Sequence, residues 1–245
     1  MKNSASPPHQ PADAARGAAT PFLSTNAEPC EHSLTRYRVR CQPEPMTDIR
    51  SICVYCGSGA GTDPAYREAA TELGREMARA GIRLVYGGGS IGLMGIVARS
   101  VLDNGGEVTG IIPQFLKERE EMLEDAGELI VTEDMHERKR LMFEKADAFV
   151  ALPGGIGTLE ETVEMMTWAQ LGQHRKPVLL ANIKGFWEPF RQLLEHMRRD
   201  GFIRNGLDVT YHVANTAAEI VPHLQNVADG KRDLCQEDGV SLSQL

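Results

Sequence analysis

Long apolar runs are missing from these 245 residues, and with them any stretch of the ~20 residues that a membrane-crossing helix requires. Positive charge is also in short supply. The 26 Lys and Arg are outnumbered by 34 Asp and Glu, giving a net charge of -8 and a pI near 5.4. That balance argues against a broad nucleic-acid or anionic-membrane surface, and it leaves room for a local basic pocket. Cysteine is sparse and odd in number, five residues at positions 30, 41, 53, 56 and 235, so no disulfide framework is expected. Cys53 and Cys56 form a C-x-x-C, but it lies inside the apolar run Ile52 to Cys56 and not at a helix start, where a thiol would be acidified. No second C-x-x-C or H-x3-H pair accompanies it, so no metal is implied. The N-terminal residues have no apolar central region of the secretory kind, and the expected address is cytoplasmic.

What is present divides into three parts. Residues 1–48 hold seven of the 13 prolines and seven alanines with hardly any apolar period, a composition that predicts a disordered tail. Residues 49–228 form the expected folded domain, and the polar stretch 229–245 is read as a flexible C-terminal tail. Within the domain, short β-rich apolar segments alternate with helical ones. Strands are expected at Ser51 to Cys56, Ile82 to Tyr86, Glu107 to Ile112, Glu128 to Val131, Ala148 to Leu152, Pro177 to Ala181 and Val209 to Val213. The intervening helices include Pro64 to Ala80, capped by Asp63 and ended by Gly81, and Met135 to Ala146, with Asp134 and Glu137 in a capping-box-like spacing. Trp187 to Arg199 and Ala217 to Val227 are the last pair. Repeated β–α units predict an α/β fold, a single doubly wound, Rossmann-like parallel sheet with helices on both faces and its site at the carboxyl ends of the strands.

Three glycine-rich turns follow strands, at Gly57 to Gly61, Gly87 to Gly95 and Gly154 to Gly157. The last lies within LPGGIGTLEE, Leu152 to Glu161, and opens a helix. Glycines at a helix N-terminus let an anion approach unpaired N–H groups and the positive end of the helix dipole, so a phosphate is the expected guest. The middle turn carries Gly87, Gly89 and Gly92 in a G-x-G-x-x-G frame with Glu107 downstream, which keeps a dinucleotide-dependent oxidoreductase in view as a rival. No G-x-x-x-x-G-K-[ST] occurs.

Charged residues near these turns suggest chemistry beyond binding. Met135, Arg138 and Met142 follow i, i+3, i+7 spacing, which places Arg138 on an apolar stripe, where a guanidinium needs an anion. A structural salt bridge to a downstream glutamate and recognition of phosphate or carboxylate fit that demand equally. Lys139 lies beside the stripe, where a lysine can turn inward but often snorkels to solvent, and His136 is expected in a surface or capping turn. Glu160 alone would be an ordinary first-turn acid. Two glutamates beside a glycine turn and an inward arginine ask for more.

In order along the chain, CVYCGSGAG, VYGGGSIGLMG, GEVTGIIP, ELIVTEDMHERK, LPGGIGTLEE and TWAQLG resemble the Lonely Guy family of cytokinin-activating phosphoribohydrolases. The resemblance spans about Ile52 to Phe202. Its specific part is P-G-G-x-G-T-x-x-E preceded by M-H-x-R-K. It implies hydrolysis of the N-glycosidic bond of a nucleoside 5′-monophosphate, with no cofactor, in a homodimer whose site is completed across the interface. It assigns catalysis to Arg138 and Glu161, and substrate binding to Lys139, Gly154, Gly155, Ile156, Gly157, Thr158, Glu160, Glu120 and Thr167. Gly87, Gly88 and Gly89 join them as substrate-binding candidates. The family was once labelled lysine decarboxylase, which no pyridoxal-phosphate lysine context here supports. The first turn departs from the family in having Gly57-Ser58-Gly59 where Gly-Ser-Ser is common.

The residues suit that chemistry on their own terms. Cleaving a ribosyl C–N bond develops oxocarbenium-like charge that a nearby carboxylate can stabilise, and Glu161 is the candidate. The expected substrate is a cytokinin riboside monophosphate or AMP. Met94, Met165, Met166 and Trp168 could line an apolar slot for a side chain on the base, although Met and Trp at helical spacing are more often core or subunit contacts. A non-enzymatic nucleotide carrier is the other rival.

Overall fold

A computed structural model describes residues 48–117, 127–203 and 209–230. The expected tails at 1–48 and 229–245 therefore lie almost wholly outside the described residues, as does Glu120. Seven strands are found among the described residues: β1 Ser51–Tyr55, β2 Arg83–Tyr86, β3 Val108–Pro113, β4 Glu128–Thr132, β5 Ala148–Ala151, β6 Val178–Ala181 and β7 His212–Ala214. Helices α1 Pro64–Arg79, α2 Gly92–Asp103, α3 Gln114–Lys117, α4 Met135–Glu144, α5 Ile156–Gln170, α6 Glu188–Arg199 and α7 Ala217–Ala228 connect or follow them.

Every strand pair is parallel, in the order β4-β3-β2-β1-β5-β6-β7. The chain winds outward from β1 to β4, then returns to lay β5 on the other side of β1. This reversal is the topological switch point, where two successive crossovers diverge and leave a crevice at the carboxyl ends of β1 and β5.

The alternation of side chains along each strand builds two cores. Ile52, Val54 and Leu84 pack with Leu73 and Met77 of α1, Val97 of α2 and Leu224 of α7 on one face. Cys53, Tyr55, Val85 and Phe149 pack with Met142 of α4, Met165 and Met166 of α5 and Leu194 of α6 on the other. All five residues of β1 are buried.

Local signals in the sequence place the helix ends. Asp63 accepts a hydrogen bond from Ala65 N at 2.9 Å, with Pro64 in the first turn. Asp134 accepts from Glu137 N at 2.8 Å, while Glu137 accepts from Glu133 N, one residue before the cap. β3 ends at Pro113. The proline is itself the last strand residue, in register with Thr132, because its ring needs no donor there, and the unexpected short α3 begins immediately after it. The last strand is shorter than expected and starts at His212.

Candidate active site

The turns after β1 and β5 are stitched together at the switch point. Gly57 N donates to Pro153 O at 3.1 Å, and Leu93 N at the start of α2 donates to Gly57 O at 3.0 Å. Above them opens a cleft of about 330 Å³ bordered by Gly57 to Gly61, Tyr66, Gly154, Gly155 and Phe186. Two glycines permit this close approach. Gly92 has φ 62, and a Cβ on it would lie 2.1 Å from Ser58 O; one on Gly154 would lie 2.2 Å from Thr158 Oγ1.

Helix α5 begins at this cleft with Gly155 as its N-cap, so no side chain satisfies its first N–H groups. Such an end offers donors and partial positive charge to an anion. Thr158 is buried in the first turn, its carbonyl accepting from Thr162 Oγ1 at 2.6 Å, whereas Gly155, Ile156 and Gly157 are exposed. Ile156 is 81% exposed, so its side chain points outward at the lip and only its backbone is placed for a ligand in the turn.

Arg138 enters from α4. Its expected inward stripe is confirmed by burial of Arg138 and Met142. Nε donates to Ile111 O at 3.1 Å and Nη1 donates to Glu161 Oε1 at 3.0 Å. Of the two readings that spacing leaves open for Arg138, the salt bridge is present, and its partner is the second glutamate of the glycine motif. Burial pulls the Glu161 carboxyl above the ordinary glutamate range; Arg138 opposes that rise, the neighbouring Glu160 adds to it, and the net direction is upward. A carboxyl poised by opposing effects of this kind, in the second turn of the helix that starts at the cleft, is suited to acid–base or charge-stabilising chemistry.

Lys139, whose direction spacing leaves open, turns inward. Its side chain is only 16% exposed, because it pairs with Glu160 and, at 3.3 Å, with Glu164 instead of reaching water. Burial works against its charge, yet the two carboxylates outweigh that effect and hold it firmly protonated. Glu164 was not singled out in the sequence. The available signal was its i+4 spacing from Glu160, which stacks both acids on one face of α5. Sequence could not reveal the Ile111 carbonyl, since any residue supplies one.

Not every candidate converges. Thr167 is exposed and donates to Val163 O at 2.7 Å within its own helix, and His136 is exposed. Gly87, Gly88 and Gly89 are all buried, and Gly87 lies against the Arg138 guanidinium and Met94 of α2. Met165 and Met166 cannot line a slot for a base: at 1% and 2% exposed they belong to the core under α5. Trp168 packs edge-on against Phe143 in that core, leaving Met94 as the methionine near the Gly87 turn.

The dinucleotide rival loses its acid. Glu107 precedes β3 and pairs with Arg83 at the start of β2, at the amino edge of the sheet. A ribose at the carboxyl edge is out of its reach. Cys53 and Cys56 are free and buried, and burial foremost, then Glu161, pushes both thiols up, which removes the thiolate that redox chemistry needs.

A somewhat larger cleft of about 400 Å³ lies at that amino edge, between Ile49, Phe143, Asp147 and Lys176. Its polar groups are committed to structure. Asp147 Oδ2 accepts from Arg50 N, Ser51 N and Ser51 Oγ, and Lys176 Nζ donates to Phe143 O at 2.7 Å in the last turn of α4. His174 bridges Met165 O and Lys176 N, and burial keeps it neutral to lower pH than usual.

Similarity to known proteins falls on the same motifs. The sequence signature of a family described as "Possible lysine decarboxylase" matches residues 94–224. The cytokinin riboside 5′-monophosphate phosphoribohydrolase LOG of Oryza sativa subsp. japonica is 50% identical over 182 residues, covering 74% of this chain and 75% of that protein. An Arabidopsis thaliana protein of the same description, LOG3, is 48% identical over 180 residues, covering 74% of this chain and 84% of its own. Among solved structures, the molybdenum cofactor binding protein of Rippkaea orientalis aligns with a TM-score of 0.55 over 74% of this chain and 98% of that one; at 22% identity this likeness establishes the fold alone.

Proposed function

The chain belongs to the Lonely Guy family of phosphoribohydrolases, and from that premise we propose that it hydrolyses the N-glycosidic bond of a cytokinin riboside 5′-monophosphate, releasing the free base and ribose 5-phosphate. The observation that carries this reading is the buried Arg138–Glu161 pair, set beside the uncapped start of α5 at the switch point. Binding alone would be served by the glycine turns. The pair adds a carboxyl whose charge is balanced between burial and a guanidinium.

On this reading each group has a task. The backbone of Gly154 to Thr158 receives the 5′-phosphate and so fixes the ribose. The C1′–N bond breaks with its electron pair passing to the base nitrogen, which takes up a proton from bulk water, a proton restored when Glu161 releases the one it gains at C1′. Ionised Glu161 stabilises the positive charge left on the ribose and accepts the proton from the water that adds to C1′. Arg138 holds Glu161 in place and offers its remaining N–H groups to the nucleotide. Lys139 and Glu160 form the charged rim beside it. A lysine decarboxylase would instead need a lysine free for a pyridoxal group, and the lysine here is held between two carboxylates.

AMP is proposed as a second substrate, since the same phosphate and ribose contacts serve any adenine-type base. Homodimerisation is also proposed. Ile156, Val163 and Leu171 stand exposed along one stripe of α5 together with Glu160 and Thr167, and a second copy covering that stripe would bring both polar residues to a shared site. The deciding experiment incubates the full chain with AMP and isopentenyladenosine monophosphate and follows free base by chromatography. A folded sample that binds both nucleotides and releases no base is a carrier, and the enzyme reading fails.

A further inference from the structure

Gly87, directly after β2, is not a glycine for the sake of its backbone, because its φ lies outside the left-handed region. Alanine would meet no conformational objection there. Space is the obstacle. A Cβ built on Gly87 would fall 2.4 Å from Arg138 Nη2, 3.6 Å from Arg138 Cζ and 3.2 Å from Met94 Sδ. An arginine tip on an open surface would swing aside at little cost. Arg138 is held: Nε is bonded to Ile111 O at 3.1 Å, Nη1 to Glu161 at 3.0 Å, and the side chain is one-tenth exposed. A guanidinium is planar, so fixing two of its nitrogens fixes the third. That third nitrogen, Nη2, has no hydrogen bond to any described residue and faces Gly87.

We infer that Gly87 is a positioning residue for the hydrolysis proposed above: the side chain it lacks is the space in which the Arg138 guanidinium lies flat, with Nη1 on Glu161 and Nη2 left for the nucleotide. The inference rests on that functional reading for its catalytic consequence and on packing alone for its structural one. A methyl group at 87 displaces the guanidinium from Glu161. Glu161 then loses the cation that opposes its burial and titrates higher still.

The test uses the full chain carrying Gly87→Ala. Misplacing a reacting group by about 1 Å costs on the order of 100-fold, so kcat/KM for base release should fall about 100-fold, chiefly in kcat. The acid limb of the pH–rate profile should move to higher pH, which a general loosening of the fold would not produce. Carbon-13 NMR of the Glu161 carboxyl should show the same upward movement. In an Arg138→Lys background, which has no second terminal nitrogen, Gly87→Ala should leave the Glu161 titration where it was. An unmoved titration in Gly87→Ala itself, or an equal shift in both backgrounds, overturns the inference. So does rescue by Met94→Ala, which would assign the glycine to packing against α2. Should Gly87→Ala fail to fold, recovery on adding Arg138→Ala supports the clash, and continued failure refutes it. Absence of base release by the wild-type chain sinks the reaction instead, while the Glu161 titration still decides the positioning.

Discussion

Arg138 Nη1 donates to Glu161 Oε1 at 3.0 Å, and the two side chains are 10% and 12% exposed. The pair joins α4 to α5 across the carboxyl edge of the sheet, so each partner holds the other in the position from which it would act. Glu161→Gln keeps the shape and removes the charge. Nucleotide affinity, read by calorimetric titration, should survive, while turnover should fall about 10²- to 10⁴-fold. Arg138→Ala should weaken both and lower stability by about 1–3 kcal/mol in urea, the loss being limited because Glu161 can take up a proton. Full turnover by Glu161→Gln would move catalysis to another group.

The upward displacement of the Glu161 carboxyl sets opposite pH trends for rate and stability. Its proton is held more tightly in the folded chain than in the unfolded one, so the group's stabilising contribution is complete below the ordinary glutamate value. That contribution is lost as pH rises through the raised folded value. Urea midpoints of wild type should therefore decline relative to Glu161→Gln across that window. The rate should climb through it, since the carboxylate is the active form.

At the far edge of the sheet, Asp147 gathers Arg50 N, Ser51 N and Ser51 Oγ on one oxygen, at 3.0, 2.9 and 2.9 Å. Asp147→Ala strands these donors at the start of β1. A loss of about 1–3 kcal/mol is expected in urea denaturation, with base release per folded molecule unchanged. A fall in kcat of the folded variant would show that the two edges communicate.

Gly92 combines a left-handed backbone with a close approach to Ser58 O. Gly92→Ala should destabilise the chain by about 1–3 kcal/mol and separate the start of α2 from the first turn. Gly154→Ala faces only the crowding by Thr158 Oγ1 and Gly57 N. It should cost less stability and weaken nucleotide binding instead. Equal thermal midpoints for the two variants would contradict this division.

Cys53 and Cys56 are buried with their thiols pushed up. Iodoacetamide should leave the peptide that contains them unmodified in the native protein and label it after denaturation, as mass spectrometry would show. Native labelling at either position would reopen a role for the C-x-x-C.

Much of this architecture is legible in the residues. Short apolar runs, buried on both faces of the sheet, locate the strands to within a residue or two for most elements, and Asp63 and Asp134 mark helix starts because their side chains compete for orphan N–H groups. The helical phase that sent Arg138 inward was readable for the same reason. Three features were not. The fate of Lys139 depended on two carboxylates of α5 arriving beside α4, a tertiary juxtaposition that overrides the tendency of a lysine to reach water. The burial of Met165 and Met166 depended on which face of α5 met the sheet. The place of Glu107 was not legible because a glycine frame fixes a turn but not the edge on which a downstream acid falls.

The amino edge has one more consequence. Asp48, just before β1, and Ala228, at the end of α7, border the same cleft there, so the described domain receives and releases its chain at neighbouring points. Those points lie across the sheet from Gly154 and Glu161. A fluorophore, a fusion partner or a solid support attached through either of them would sit behind the molecule, and linking the two directly while opening a loop elsewhere should leave the sheet order intact. The fold thus has a handle as well as a working edge.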